Sequence, residues 1–182
     1  MKITKRWLER YDVYKNDIKY ATENNLINLS DVDFVKKLIK ADKLDWANWT
    51  IVWSLNKINM IKYAVFAAEL VLPIFEKKYP NDDMPRKAIE AAKQFILYPT
   101  EIYAAHAYAN IDAVHASKAH PSAVSAAYAA DAAAKTVYGC ISDVEQASTY
   151  AVYYAANACN DTINMYKKIL RYGVTLMESE GE

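Results

Sequence analysis

PSAVSAAYAADAAAKTVYGCISDVEQASTYAVYYAANACND, residues 121–161, decides the fold. Ala is the strongest helix former, because it loses no side-chain entropy on ordering. Residues 101–160 hold 20 Ala, two basic and five acidic side chains. Small faces of this kind let helix backbones approach closely, with Tyr rings filling the gaps. The repetitive look is compositional; no fixed period recurs, so no solenoid is read. Pro121 suits a first helical turn, and Gly139 suits its end. Ser142 and Glu145 form an S-x-x-E capping box. It opens a last helix running to about Tyr172, with Gly173 as the stop and MESEGE as a frayed tail.

Further toward the N-terminus, Pro99 with Thr100 marks another helix start, and Tyr98 and His120 should lie in bends before proline. YPNDDMP, residues 79–85, is a loop that leads into a helix with Pro85 in its first turn and Asp83 near its cap. Asn56 caps a helix ending near Lys78, which Pro73 should kink or split. Asp45 caps a short helix carrying Trp46, Trp49 and Trp53. Ser30 and Asp33 form another capping box, for a helix to about Ala41. A first helix runs from Thr4 to about Thr22 and breaks at Asn24, Asn25 and Asn28. The reading is all-α: a single bundle of seven or eight helices with an Ala/Tyr-rich C-terminal half. It places one helical domain over 1–182, with its N-terminal helix within 1–30 and the frayed tail over 174–182.

Composition narrows the chemistry. The 182 residues carry 22 basic and 22 acidic side chains, which argues against a nucleic-acid binder driven by bulk positive charge. Three Gly cannot write G-x-G-x-x-G or a P-loop, and two Cys cannot make a disulfide framework or a Cys zinc site. The charged start MKITKRWLERYDVYKND has no apolar core of a signal peptide. The most apolar window, residues 63–75, falls short of the roughly 20 residues that span a bilayer. The expectation is a cytoplasmic protein that does not enter membranes.

Several constellations compete for a role. Lys36, Lys37, Lys40 and Lys43 cluster within eight residues and could meet phosphate or an acidic partner, although nearby Asp residues balance them. Asp82, Asp83, Arg86 and Lys87 form a mixed-charge turn, either self-neutralising or a polar contact for a partner. Trp46, Trp49 and Trp53 share one helix face and read as core. Asp112 and His115 supply a single D-x-x-H, short of a di-iron set. A metal or thiol enzyme would have to draw on His106, Asp112, His115, and Cys140 or Cys159. No local motif supports it, so no catalytic, metal or cofactor residue is assigned. The Ala/Tyr-rich pair reads as internal core or as a homodimer face.

FAAELVLPIFEKKYPNDDMPRKAIEAAKQF, residues 66–95, with Trp46-Ala47-Asn48-Trp49 before it and the Ala/Tyr-rich helices after it, resembles an immunity-protein family of bacteria and phages. The resemblance covers roughly residues 44–172. In length and in its MKITKRWLER start the chain also looks like the type II-A anti-CRISPR proteins of phages. These resemblances imply a non-enzymatic inhibitory binder. The partner implied first is Cas9 with its guide RNA, with weak nucleic-acid contact; the alternative is a bacterial toxin. The contact residues expected are Lys36, Lys37, Lys40, Lys43, Asp82, Asp83, Arg86 and Lys87.

Overall fold

A computed structural model describes residues 1–11, 13–100, 121–138 and 141–180. Among the described residues there are nine α-helices and no strand. They are α1 (Lys5–Arg10), α2 (Lys15–Glu23), α3 (Asp31–Lys40), α4 (Leu44–Ser54), α5 (Lys57–Lys78), α6 (Met84–Leu97), α7 (Pro121–Tyr138), α8 (Ile141–Asn157) and α9 (Thr162–Glu180). The all-α expectation holds. The count exceeds seven or eight because two expected helices are each broken in two.

The first break separates α1 from α2. Thr4 caps α1 as its side chain suggests, accepting from Trp7 N at 3.1 Å. The helix does not run on to Thr22. Val13 N reaches back to Leu8 O at 3.1 Å, and the Tyr11 ring packs on Trp53 with centroids 4.4 Å apart. Tertiary aromatic contact thus replaces another helical turn. The chain then reverses where Asn25 and Asn28 adopt φ of 54° and 68°, a region Asn tolerates. Ser30 closes the capping box onto Asp33, accepting from its N–H at 3.0 Å and donating to its carboxylate at 2.7 Å.

Asp45 does not cap α4. The helix begins at Leu44 with Lys43 before it, and the Asp45 carboxylate accepts from Tyr166 OH at 2.9 Å. Asn56 does cap α5, accepting from Asn59 N at 3.0 Å. The helix continues through Pro73 to Lys78 without splitting. By length and composition α5 could cross a membrane, which the shorter apolar window had not suggested. Here it packs against α6, α7, α8 and α9 and forms the middle of the core. At the following loop Pro85 occupies the first turn of α6. Asp83 makes no side-chain cap bond; Asp82 accepts from Met84 N at 3.1 Å instead.

The second break divides the expected last helix. α8 ends at Asn157, and Asp161 restarts the chain by accepting from Asn164 N at 3.2 Å. Gly173 is not a stop: it lies inside α9, where a Cβ would sit 2.8 Å from both Ile51 Cγ2 and Tyr63 Cε2. The glycine is a close-approach residue. The stretch read as a frayed tail is helical through Glu180. Glu180 accepts from Asn56 N at 3.0 Å and from Asn59 Nδ2 at 2.6 Å, and Glu178 pairs with Lys36 at 2.7 Å.

α7 begins at Pro121 as expected and is buried on nearly every side, from Ala123 to Val137. It packs against α5, α6 and α8. α9 crosses α3, α4, α5 and α8 and ties the N-terminal helices to this core. Tyr98 lies in a bend, as its place before Pro99 implies. The helix start read at Thr100, His120, and the Gly139 stop fall partly or wholly outside the described residues.

Candidate interaction surface

The W-A-N-W segment organises one end of the bundle. Ala47 and Asn48 are fully buried. Asn48 accepts from Tyr63 OH at 3.0 Å and donates Nδ2 to Thr149 O at 3.2 Å. One amide therefore ties α4 to both α5 and α8. Burial pushes the Tyr63 hydroxyl well above its usual pKa, so it remains a donor. Tyr166, raised first by burial and then by the Asp45 charge, likewise stays protonated and holds α9 to α4.

The three tryptophans are only half-buried and do not behave as one stripe. Trp46 packs edge-on against Phe34 with centroids 5.2 Å apart. Trp49 and Trp53 join Trp7 and Tyr11, with Trp7 to Trp49 at 5.5 Å and Trp49 to Trp53 at 5.9 Å. The cluster fastens α1 over α4. Aromatic pairing of this kind adds about 0.5–1.5 kcal/mol per pair beyond area burial.

Beside this cluster opens a groove that the sequence did not reveal. Its larger part, about 520 Å³, lies between the start of α2, the start of α4 and α8; Tyr11, Tyr14, Trp46 and Trp49 contribute aromatic walls. A smaller part, about 310 Å³, adjoins it through Asp42, Leu44 and Asp45 and is bounded by Tyr153, Ile163 and Tyr166. Tyr14 is 81% exposed, Ile163 58% and Tyr153 49%. Large, amphipathic side chains in solvent around a concavity are the composition of a binding interface. The only sequence signals were Tyr abundance and the Trp spacing; neither tells which rings face outward.

The lysine face on α3 is partly neutralised. Lys36 is held by Glu178, whose hydrogen bond raises the lysine pKa. The Lys43 ammonium lies 4.8 Å from the Tyr20 ring centroid, a cation–π contact. Lys37 and Lys40 are exposed and make no ion pair among the described residues. They sit in the last turn of α3, where the helix dipole favours cations.

The mixed-charge turn closes on itself. Arg86 Nε donates to Glu76 at 2.6 Å, Lys87 pairs with Asp83 at 2.9 Å, and Asp82 binds the backbone. Glu69 meets Lys93 at 3.1 Å, and Phe66 stacks on Tyr172 at 4.0 Å. The F-A-A-E and P-R-K-A segments thus clasp α5 to α6 and α9. α3 packs on α4 and α9, α6 on α5 and α7, so the two expected contact patches share no helix pair.

His106, Asp112, His115 and Cys140 lie outside the described residues. Cys159 is a half-buried free thiol whose pKa is raised by burial and by Asp161, the reverse of nucleophile activation. Among the described residues no group of three or more His, Cys, Asp or Glu side chains could hold a metal ion.

No curated protein and no solved structure matches the chain. A family model does: Imm-5 like putative immunity protein, over residues 51–178. The match takes in the last turn of α4, the α5–α6 clasp, the Ala-rich pair and nearly all of α9. α1 to α3 and the W-A-N-W segment precede it. Function in this family is of the immunity type, exercised by binding protein partners, and the matched span exceeds half of the sequence: the chain belongs to the Imm-5 like family of immunity proteins.

Proposed function

We propose that the protein is a non-enzymatic inhibitor that neutralises a bacterial toxin by seating part of it in the groove between α2, α4, α8 and α9. The observation that carries this reading is the exposed aromatic rim of Tyr14 and Tyr153 around that concavity, in a chain of an immunity-protein family. On this reading the protein works in the cytoplasm of the bacterial cell. The test is co-expression with the toxin encoded beside its gene. The wild type should protect the cells and co-purify with the toxin. Tyr14→Ala and Tyr153→Ala should each weaken toxin binding about tenfold with helicity unchanged, the range of an interface anchor. A wild type that neither protects nor co-purifies overturns the reading.

The finer reading, Cas9 with guide RNA as the partner, is supported by the likeness in length and N-terminal sequence to anti-CRISPR proteins. Lys37 and Lys40 on the α3 face are its free cations, available to phosphate. Adding the protein to Cas9–guide complex before target DNA should then stop cleavage, and Lys37→Ala with Lys40→Ala should flatten the salt dependence. Undiminished cleavage at excess protein removes Cas9.

A further inference from the structure

The larger part of the groove has a chemical bias beyond its shape. Three carboxylates line it, Asp17, Asp42 and Asp45, against one ammonium, Lys43. Asp42 is already held by Lys167 in an ion pair. Lys43 is drawn to the Tyr20 ring. Asp17, in the first turn of α2, has no ion pair or side-chain hydrogen bond among the described residues, and Asp45 uses only Oδ1, for Tyr166. The Tyr11 and Trp49 rings pack edge to face, 76° apart with centroids separated by 6.3 Å, and form one aromatic wall of the groove. Trp46 Nε1 is buried beside the cavity and has no hydrogen-bond acceptor.

The geometry points to an arginine-binding pocket: a guanidinium from the protein partner enters the groove against its aromatic wall and pairs with Asp17 and Asp45. Arginine fits better than lysine. Its flat, weakly hydrated cation stacks on aromatic faces and offers a fork of donors to carboxylates. The inference rests on the proposed function only for the source of the arginine. It makes the partner's anchor basic, and it sets the pocket against a partner surface of positive charge.

The test is a titration of the full-length, ¹⁵N-labelled protein with acetyl-Ala-Arg-Ala-amide, following the indole N–H signals. Those of Trp46 and Trp49 should move, and binding should weaken on adding salt. The citrulline peptide, equal in shape and uncharged, should bind at least about threefold more weakly, as should the arginine peptide to Asp17→Asn; ~0.7 kcal/mol is a modest value for one half-buried carboxylate. Asp17→Lys should abolish binding; circular dichroism confirms that both variants fold. Equal binding of arginine and citrulline peptides, unchanged binding by Asp17→Lys, or no response at Trp46 and Trp49 overturns the pocket. In the co-expression assay, protection by Asp17→Lys equal to wild type would refute the pocket and leave the immunity function standing. An arginine-binding protein that fails to protect would refute the immunity function and leave the pocket.

Discussion

Gly173 sits where α9 crosses Ile51 of α4 and Tyr63 of α5, both fully buried. Helix propensity alone favours Gly173→Ala by about 1 kcal/mol. The added methyl would meet two atoms at 2.8 Å, and the Tyr63 ring is pinned through its hydroxyl to Asn48. Overpacking of about 1–3 kcal/mol should prevail. Urea unfolding should show Gly173→Ala less stable than wild type; a gain in stability would mean the crossing can open. This role was hidden in the sequence, where a glycine after a long helical pattern looks like a C-terminal stop. Only the neighbours of the backbone, distant in sequence, give it another purpose. Asn48 was equally hidden: W-A-N-W was visible as a pattern, but its amide is a clamp because Tyr63 and Thr149 arrive from two other helices.

Helix ends separate into those governed by local chemistry and those governed by contact. Ser30 and Asn56 cap the helices their sequence context assigns, because a cap needs only an oxygen and an N–H three residues on. The breaks at Tyr11 and Ala158 were not legible. The first depends on the Trp49–Trp53 surface of another helix. The second has Asp161 as its chemical signature, overshadowed by the long Ala-rich run before it. Hydrogen bonds from the Asn164 side chain and backbone lower the Asp161 pKa in the fold. A lowered carboxyl pKa contributes stability above the unfolded-state value, and that contribution is lost as pH falls through the folded one. Asp161→Ala should therefore lower Tm near pH 7. The gap should close as pH falls below about 4, the ordinary Asp range. A gap independent of pH would assign the loss to packing rather than to the charged cap.

At the scale of the molecule, the all-α architecture follows from Ala content and scarce Gly, while the relative placement of the helices depends on long-range contacts that no local spacing encodes. The candidate site is of that second kind. Its residues come from α2, α4, α8 and α9, and of the charged patches conspicuous in sequence the Asp82–Lys87 turn proved self-paired while Lys37 and Lys40 stay unpaired among the described residues. α9 closes the molecule: Glu178 reaches Lys36 of α3, and the Glu180 carboxylate meets the start of α5. Removing residues 178–182 should lower stability by about 1 kcal/mol, since each exposed pair contributes about 0.2–1 kcal/mol. The loss should shrink in high salt. Thermal melts of the truncated chain at low and high ionic strength check both points, and an unchanged Tm would make the clasp ornamental. The alanines of α7 bear on inheritance rather than on stability alone. Ala126, Ala129, Ala130 and Ala133 are fully buried. Most single-base changes from an alanine codon introduce a larger, charged or helix-breaking residue. The segment that reads as the most interchangeable text in the gene is thus the one where copying errors are least forgiven, and the exposed rim of the groove is where new partners can be tried at little risk to the fold.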